Sequence, residues 1–211
     1  MSTITKPDFY SVIQERHSVR QYDPTVKISR EEMKEILADA TLAPSSSNLQ
    51  PWRFLVIDEQ ELKEKLYPIA NNQEQVLQAS AVIAVLGDKK WYEKGEKIYN
   101  LSQEAGYMTE EVKQRFIHTA QNIYSNMSDS VKESIIDVDA GLISMQLMLI
   151  ARARGYDTVP MGGYNKAKFM EEFKIPSNYR SVMLIAIGKA ASAARPTVRL
   201  PLEDVVSWNK I

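Results

Sequence analysis

Ala43-Pro44-Ser45-Ser46-Ser47-Asn48-Leu49-Gln50-Pro51-Trp52 lies between a well-marked helix and a strand, and its reading decides how the chain is organised. These ten residues hold two prolines, three consecutive hydroxyls, an Asn, a Gln and a Trp. Proline fixes φ and removes a donor, while Ser and Asn bond nearby backbone in turns. The combination predicts a rigid polar connection that presents amides and hydroxyls outward. An ordinary helix-to-strand loop fits the same residues, so the flanking chain has to decide between the two.

Upstream, Ser29 with Glu32 forms a capping box and Ile28 with Met33 a hydrophobic staple. A helix therefore starts there, buries Met33, Ile36, Leu37 and Ala40, and stops at Pro44. Earlier still, Asp8 caps a helix with Phe9, Val12 and Ile13 on one face, which ends in Glu15-Arg16-His17-Ser18-Val19-Arg20-Gln21-Tyr22-Asp23. Arg16 and Arg20 at a helix C-terminus complement its dipole. Flanking His17 and Ser18, they could instead grip a phosphate in bidentate fashion. Both readings stay open on these residues.

Downstream, Arg53 to Ile57 reads as a strand, and Asp58 with Glu61 as a second capping box whose helix turns Leu62 and Leu66 inward. Asn71-Asn72-Gln73-Glu74-Gln75 is amide-rich. Ser80 to Gly87 is a continuous apolar run, predicting a central strand buried on both faces. Residues 88–126 are charged and carry scattered aromatics, an excursion over the core. Ser130 with Glu133 predicts the start of a long helix to about Arg154, with Gly155 as its stop. A short strand with a tight turn follows at 157–164, then a helix from Lys166 to Lys174 and a buried strand from Arg180 to Gly188. The tail, 189–211, reads as an extended arm laid over a surface, and no linker divides the 211 residues, which predict one domain.

Composition removes whole classes of chemistry. The chain is 44% hydrophobic and 25% charged with a net charge of -1, so no global basic field points to nucleic acid or an anionic membrane. Cys is absent, which removes thiolate nucleophiles, iron–sulfur clusters and thiolate zinc sites, and the two His, His17 and His118, lie far apart. No metal site is expected. The N-terminal Met1 to Pro7 lacks an apolar core and is not expected to be a signal peptide, and the longest nearly apolar run, Ala140 to Ala151, is short of the roughly 20 residues a span needs. A soluble, cytoplasmic protein is expected. Phosphate-binding and nucleophile motifs of the G-x-x-x-x-G-K, G-x-G-x-x-G, G-x-S-x-G and H-E-x-x-H kinds are missing. What remains is a scatter of cations, amides, hydroxyls and a Gly pair, an inventory suited to an organic cofactor that does the hard chemistry itself.

Arg16-His17-Ser18-Val19-Arg20-Gln21-Tyr22 and Ala43 to Phe54 resemble the two best-known motifs of the nitroreductase family of FMN-dependent oxidoreductases. Asn72-Gln73-Glu74-Gln75-Val76, Pro160-Met161-Gly162-Gly163 and Arg199-Leu200-Pro201-Leu202 are similar to three further segments, in order. The resemblance implies an α+β fold, a mixed and mainly antiparallel sheet wrapped by helices, in an intertwined homodimer with tails exchanged and two FMN sites at the interface. It also implies roles for individual residues. Arg16, His17, Ser18 and Arg20 come from one subunit, Arg16 on the phosphate and Arg20 near the pyrimidine edge. Pro44, Ser45, Ser46 and Asn48 come from the other. Asn72 and Gln75 reach the ribityl chain and ring, Met161, Gly162 and Gly163 lie by the ring, and Arg199 completes the phosphate grip, with Arg195 and Lys189 as alternatives.

Some family members have a Lys where Gln75 stands, which leaves Arg20 as the cation for the negative charge of a reduced ring. The resemblance implies hydride transfer from NADPH or NADH through flavin N5 to an electron-poor acceptor, a nitroaromatic or quinone, by a ping-pong route with no catalytic side chain. Tyr99, Tyr107, Phe116 and Tyr124 are candidates for a pocket lid. Alternatives are another reductive reaction on the same fold, dehalogenation or flavin fragmentation, or a flavin-binding regulatory protein without turnover.

Overall fold

The computed structural model describes residues 7–211, so the reading of residues 1–6 as free of a signal peptide lies outside the described residues. Four strands, β1 (Trp52–Ile57), β2 (Ala81–Asp88), β3 (Asp157–Met161) and β4 (Tyr179–Gly188), form one sheet in the order β1-β2-β4-β3, every pair antiparallel. The sheet becomes mixed through one isolated parallel bridge, Ser18 with Thr158. Successive side chains on a strand point to opposite faces. Ala81, Ile83 and Val85 of β2 therefore enter one core with Ile185 and Ile187, while Val82, Ala84 and Leu86 enter a second with Leu184 and Ala186. Both faces are covered, which is why β2 reads as an unbroken apolar run.

Eight helices are described: α1 (Phe9–Glu15), α2 (Arg30–Ala40), α3 (Gln60–Ile69), α4 (Gln75–Gln78), α5 (Gly95–Glu104), α6 (Glu110–Thr119), α7 (Asp129–Ala153) and α8 (Lys166–Glu172). α2 and α7 cover one face through Met33, Ile36, Ala140, Ile143 and Leu147. α3, α4 and α8 cover the other through Leu66, Val76 and Phe169, joined by Val19 and Tyr22 from the segment after α1. A third core of Leu49, Trp91, Tyr99, Ala120 and Ile136 ties the excursion to the loop before β1. α7 approaches β2 so closely that a Cβ on Gly87 would meet Ile136 Cγ2 at 2.0 Å, so only glycine fits there.

The caps divide into local and long-range outcomes. Asp8 and Ser29 cap α1 and α2 as expected, although Val12 alone of the expected α1 face is buried, and Glu32 takes the Tyr156 hydroxyl instead of completing its box. The Asp58–Glu61 box does not form: Glu59 is the N-cap of α3, and Asp58 is held by Arg30 at 3.0 and 3.2 Å. A bidentate, charge-assisted pair outcompetes a single amide for that carboxylate. Ser128, two residues before the expected Ser130, is the N-cap of α7, its Oγ accepting from Val131 N–H, while Glu133 goes to Arg180.

By length and composition α7 is apolar enough to cross a membrane, longer than the apolar run suggested, with its residues Ile136, Ala140, Ile143, Leu147 and Ala151 buried in the protein. After β4 the tail holds no helix or strand apart from one short 3-10 turn at Leu202–Asp204 and leaves Val198, Leu200, Leu202 and Trp208 exposed.

Candidate functional site

The arginine segment is an extended strip pinned on both sides. Arg16 ends α1 with its N–H on the Val12 carbonyl and then turns to extended backbone. Val19 N–H donates to the Thr158 carbonyl at 3.1 Å on one side. On the other, Asp23 N–H reaches the Lys189 carbonyl at 2.8 Å and Ala191 N–H the Gln21 carbonyl at 3.0 Å. Tyr22 anchors the strip in the core through its hydroxyl on the Ala186 carbonyl, and burial pushes its phenol far above the usual range. His17 turns its Nδ1 to the Glu15 carbonyl at 2.8 Å.

This zipper brings the start of the tail to the arginines. Ser18, Arg20 and Arg195 line one cavity of about 360 Å3 together with Ser192 and Ala194. Arg199 does not line it and bonds Thr197 Oγ1 and the Val198 carbonyl. Lys189 is committed elsewhere, with Nζ on the Gly155 carbonyl just past α7. Arg30, Arg53, Arg152, Arg154 and Arg180 each pair with a carboxylate, whereas Arg16, Arg20, Arg195 and Arg199, and Arg115 on the excursion, have none among the described residues.

The amide segment meets the glycine pair. Asn71 Nδ2 and Gln73 Nε2 both donate to the Gly163 carbonyl, at 2.8 and 3.2 Å. Gln75 is buried and its Nε2 contacts Gln73 Oε1 at 2.8 Å and Met161 Sδ at 3.4 Å. Asn71 and Asn72 carry φ of 56° and 54°, a left-handed pair that asparagine tolerates and that aims the turn at Gly163. Gly162 and Gly163 are exposed, and a Cβ on either would meet nothing within 4 Å. Asn71 and Gln73 were not candidates from the sequence; the left-handed Asn doublet after a helix was the available signal.

The serine loop is shaped by its own side chains and lies on a different core. Ser45 Oγ accepts from Gln50 N–H at 3.0 Å. Ser46 gives its N–H (3.0 Å) and its hydroxyl (3.2 Å) to the Asp139 carboxylate on α7. Burial raises the Asp139 pKa and those two hydrogen bonds oppose the rise. Ser47, at φ 49°, pairs its hydroxyl with Tyr124 and its carbonyl with the Tyr99 hydroxyl. Pro44 and Asn48 are exposed. Of the aromatics expected to form a lid, Tyr99 is buried and Phe116 packs on it, Tyr124 is spent on Ser47, and Tyr107 alone lines a cavity, one of about 500 Å3 that also reaches Asn48.

Within one protomer, then, Arg16 to Arg20, Asn71 to Gln75 and Met161 to Gly163 are gathered on β3 and its neighbours. Pro44 to Asn48 sits apart: neither the Arg20 cavity nor the Asn48 cavity is lined by residues of the other group. Unpaired cations fit a phosphate, the amides fit the polar edge of a heterocycle, and the bare backbone at Gly162–Gly163 leaves room for a flat ring. The donor set fits a flavin mononucleotide and supplies no nucleophile of its own.

Comparison with known proteins agrees with that chemistry. The model of the nitroreductase family matches residues 13–189. YdgI of Bacillus subtilis, provisionally named an NAD(P)H nitroreductase, is 50% identical over 203 residues, covering 95% of this chain and 97% of its own. The CLA biosynthesis enone reductase of Lactiplantibacillus plantarum is 36% identical over 94% of this chain and 93% of its own. A crystal structure from Exiguobacterium sibiricum, described provisionally as a nitroreductase in complex with FMN, superposes with a TM-score of 0.93 at 50% identity, over 99% of this chain and 100% of that one. The chain belongs to the nitroreductase family and has its FMN-dependent NAD(P)H oxidoreductase fold.

Proposed function

We propose that this protein is a cytoplasmic FMN oxidoreductase that takes hydride from NADH or NADPH and delivers it to an electron-poor acceptor, a nitroaromatic or a quinone, in two successive half-reactions at one site. The bound flavin supplies the hydride chemistry at N5, and the protein supplies binding, orientation and electrostatics. The observation that carries the reading is the pair of arginines without acid partners, Arg20 and Arg195, lining one cavity on a strip hydrogen-bonded to β3, the strand that runs on into the open Gly162–Gly163 backbone. Arg16 holds the phosphate, with Arg195 or Arg199 completing the grip. Arg20 would serve the pyrimidine edge and would offset negative charge there. Gln75 offers that edge a neutral hydrogen bond. Asn72 serves the ribityl chain, and Gly162 and Gly163 offer backbone N–H near N5.

Pro44, Ser45, Ser46 and Asn48 act from a second copy of the chain. Two features support a homodimer: the exposed Val138, Leu142 and Met145, which share one stripe of α7 at helical spacing, and the uncovered apolar arm from Val198 to Trp208. The similarity to the enone reductase adds a conjugated enone to the acceptor classes. Anaerobic spectroscopy tests the proposal. The FMN-loaded protein is expected to be yellow, to bleach with NADH or NADPH, and to recolour when a nitroaromatic, quinone or enone is added. A protein that stays colourless after incubation with FMN, or that is yellow but does not bleach, contradicts it.

A further inference from the structure

The cavity beside Asn48 carries a charge pattern that holding a flavin does not require. Its volume, about 500 Å3, is that of a small-molecule site. Lys94, Lys97, Ile98 and Leu101, at helical spacing along one face of α5 and its N-cap, line it together with Arg53 of β1 and Tyr107. Two of the cations are fixed in place. Asp88, 3% exposed at the end of β2, takes Lys94 Nζ at 2.8 Å and the Arg53 guanidinium at 3.3 Å. Arg53 also donates to the Gln50 carbonyl at 3.0 Å and to that of Trp52. One carboxylate shared by two cations leaves a net positive charge. Lys97, one turn beyond Lys94, adds a second and makes no ion pair among the described residues. No acidic side chain lines the cavity, while Glu93, Glu96 and Glu104 line a separate depression that Lys97 also borders.

Cations set against an apolar wall raise the local concentration of anions. We infer that this cavity selects an acceptor that carries a carboxylate on an apolar aryl or acyl body. The carboxylate sits at Lys94 and Lys97, and the body lies along Ile98, Leu101 and Tyr107 toward Asn48. The inference rests on the FMN oxidoreductase reading, because Asn48 belongs to the wall assigned to the flavin, and it sharpens that reading by naming the charge of the acceptor.

The test uses the FMN-loaded protein with 4-nitrobenzoate and its methyl ester. The acid is expected to show a KM about fivefold below that of the ester, the scale of an exposed ion pair. Lys97→Glu raises the KM of the acid about tenfold and moves that of the ester less than twofold, and high salt removes the difference. Lys97 is exposed and unpaired, so the variant folds. Equal KM values for acid and ester in the native protein, or equal shifts in both on Lys97→Glu, overturn the inference. Calorimetric titration with benzoate gives a readout apart from turnover: binding that weakens about fivefold or more in Lys97→Gln supports it, and absent or Lys97-insensitive binding overturns it. Failure of the flavin reading looks different, since neither nitro compound would be reduced while the benzoate titration still reports on the cavity.

Discussion

The two halves of the candidate site are held in opposite ways. On the arginine side the backbone is fixed, strip 16–23 between Thr158 and Lys189 to Ala191, while the side chains of Arg16, Arg20 and Arg195 are left without acid partners. On the serine side the side chains are consumed: Ser45 by Gln50, Ser46 by Asp139 and Ser47 by Tyr124. The first half is a rigid frame displaying charge. The second is a loop whose hydroxyls hold its shape, so what it offers a ligand is chiefly backbone and Asn48. The serine hydroxyls that drew attention in the sequence are engaged within the chain and hold the shape of the loop.

That contrast can be broken at either half. Arg16→Ala is expected to have the largest effect, weakening FMN binding about a hundredfold in a fluorescence titration, since charge-assisted hydrogen bonds are the strong ones. Arg115→Ala, an unpaired arginine on the excursion, should leave affinity within twofold. Equal effects of the two would mean that charge in general, not its placement, binds the cofactor.

The frame of the arginine side has a buried cation of its own. Lys63 is fully buried, with Nζ on the Leu77 and Ala79 carbonyls at 3.1 and 2.7 Å, and so fastens the end of α4 behind Gln75. Burial, reinforced by Lys27 and opposed by Asp58, lowers its pKa from 10.5 to about 8. Between those values the unfolded chain binds more protons than the native one, so stability rises with pH through this window and is flat below it. Urea unfolding should show a gain of about 2 kcal/mol between pH 8 and 10 that Lys63→Met abolishes. A gain that persists in Lys63→Met would assign it to another group.

Effects on the serine side should be smaller because several bonds share the work. Asp139→Leu removes the acceptor of both Ser46 donors and is expected to weaken FMN binding about tenfold. Tyr124→Phe leaves the Tyr99 bond to Ser47 in place and should weaken binding only about threefold. If Tyr124→Phe proved the more damaging of the two, the excursion rather than α7 would be the support of the loop.

What could be read from the sequence followed the range of the interactions. The apolar run of β2 and the caps at Asp8 and Ser29 rest on neighbours in the chain, and each was legible; the family itself was legible from its motifs, and its model matches residues 13–189. Asp58 was misread as a cap because its partner, Arg30, lies 28 residues away, and the anchoring of Ser46 by Asp139 spans 93. No local pattern marks such pairs. The lid aromatics divide for the same reason: their spacing announced burial or contact, and only the fold shows that Tyr99 and Tyr124 bond to the loop while Tyr107 lines the cavity beside Asn48. Lys63 gave no signal, since a lysine on a helix is ordinarily a solvated charge.

The central claim is that each flavin site joins the arginines of one copy to the serine loop of another, and a mixed dimer tests it most directly. Arg16→Ala chains, with a sound loop, are combined with chains whose Asp139→Leu and Asn48→Ala changes spoil the loop but leave Arg16 sound. In the mixed dimer one site then has both halves intact and the other has neither. The account predicts one tightly bound FMN per mixed dimer, although both parent proteins bind it weakly. No tight site in the mixed dimer would show that each protomer builds its site alone and would contradict the account.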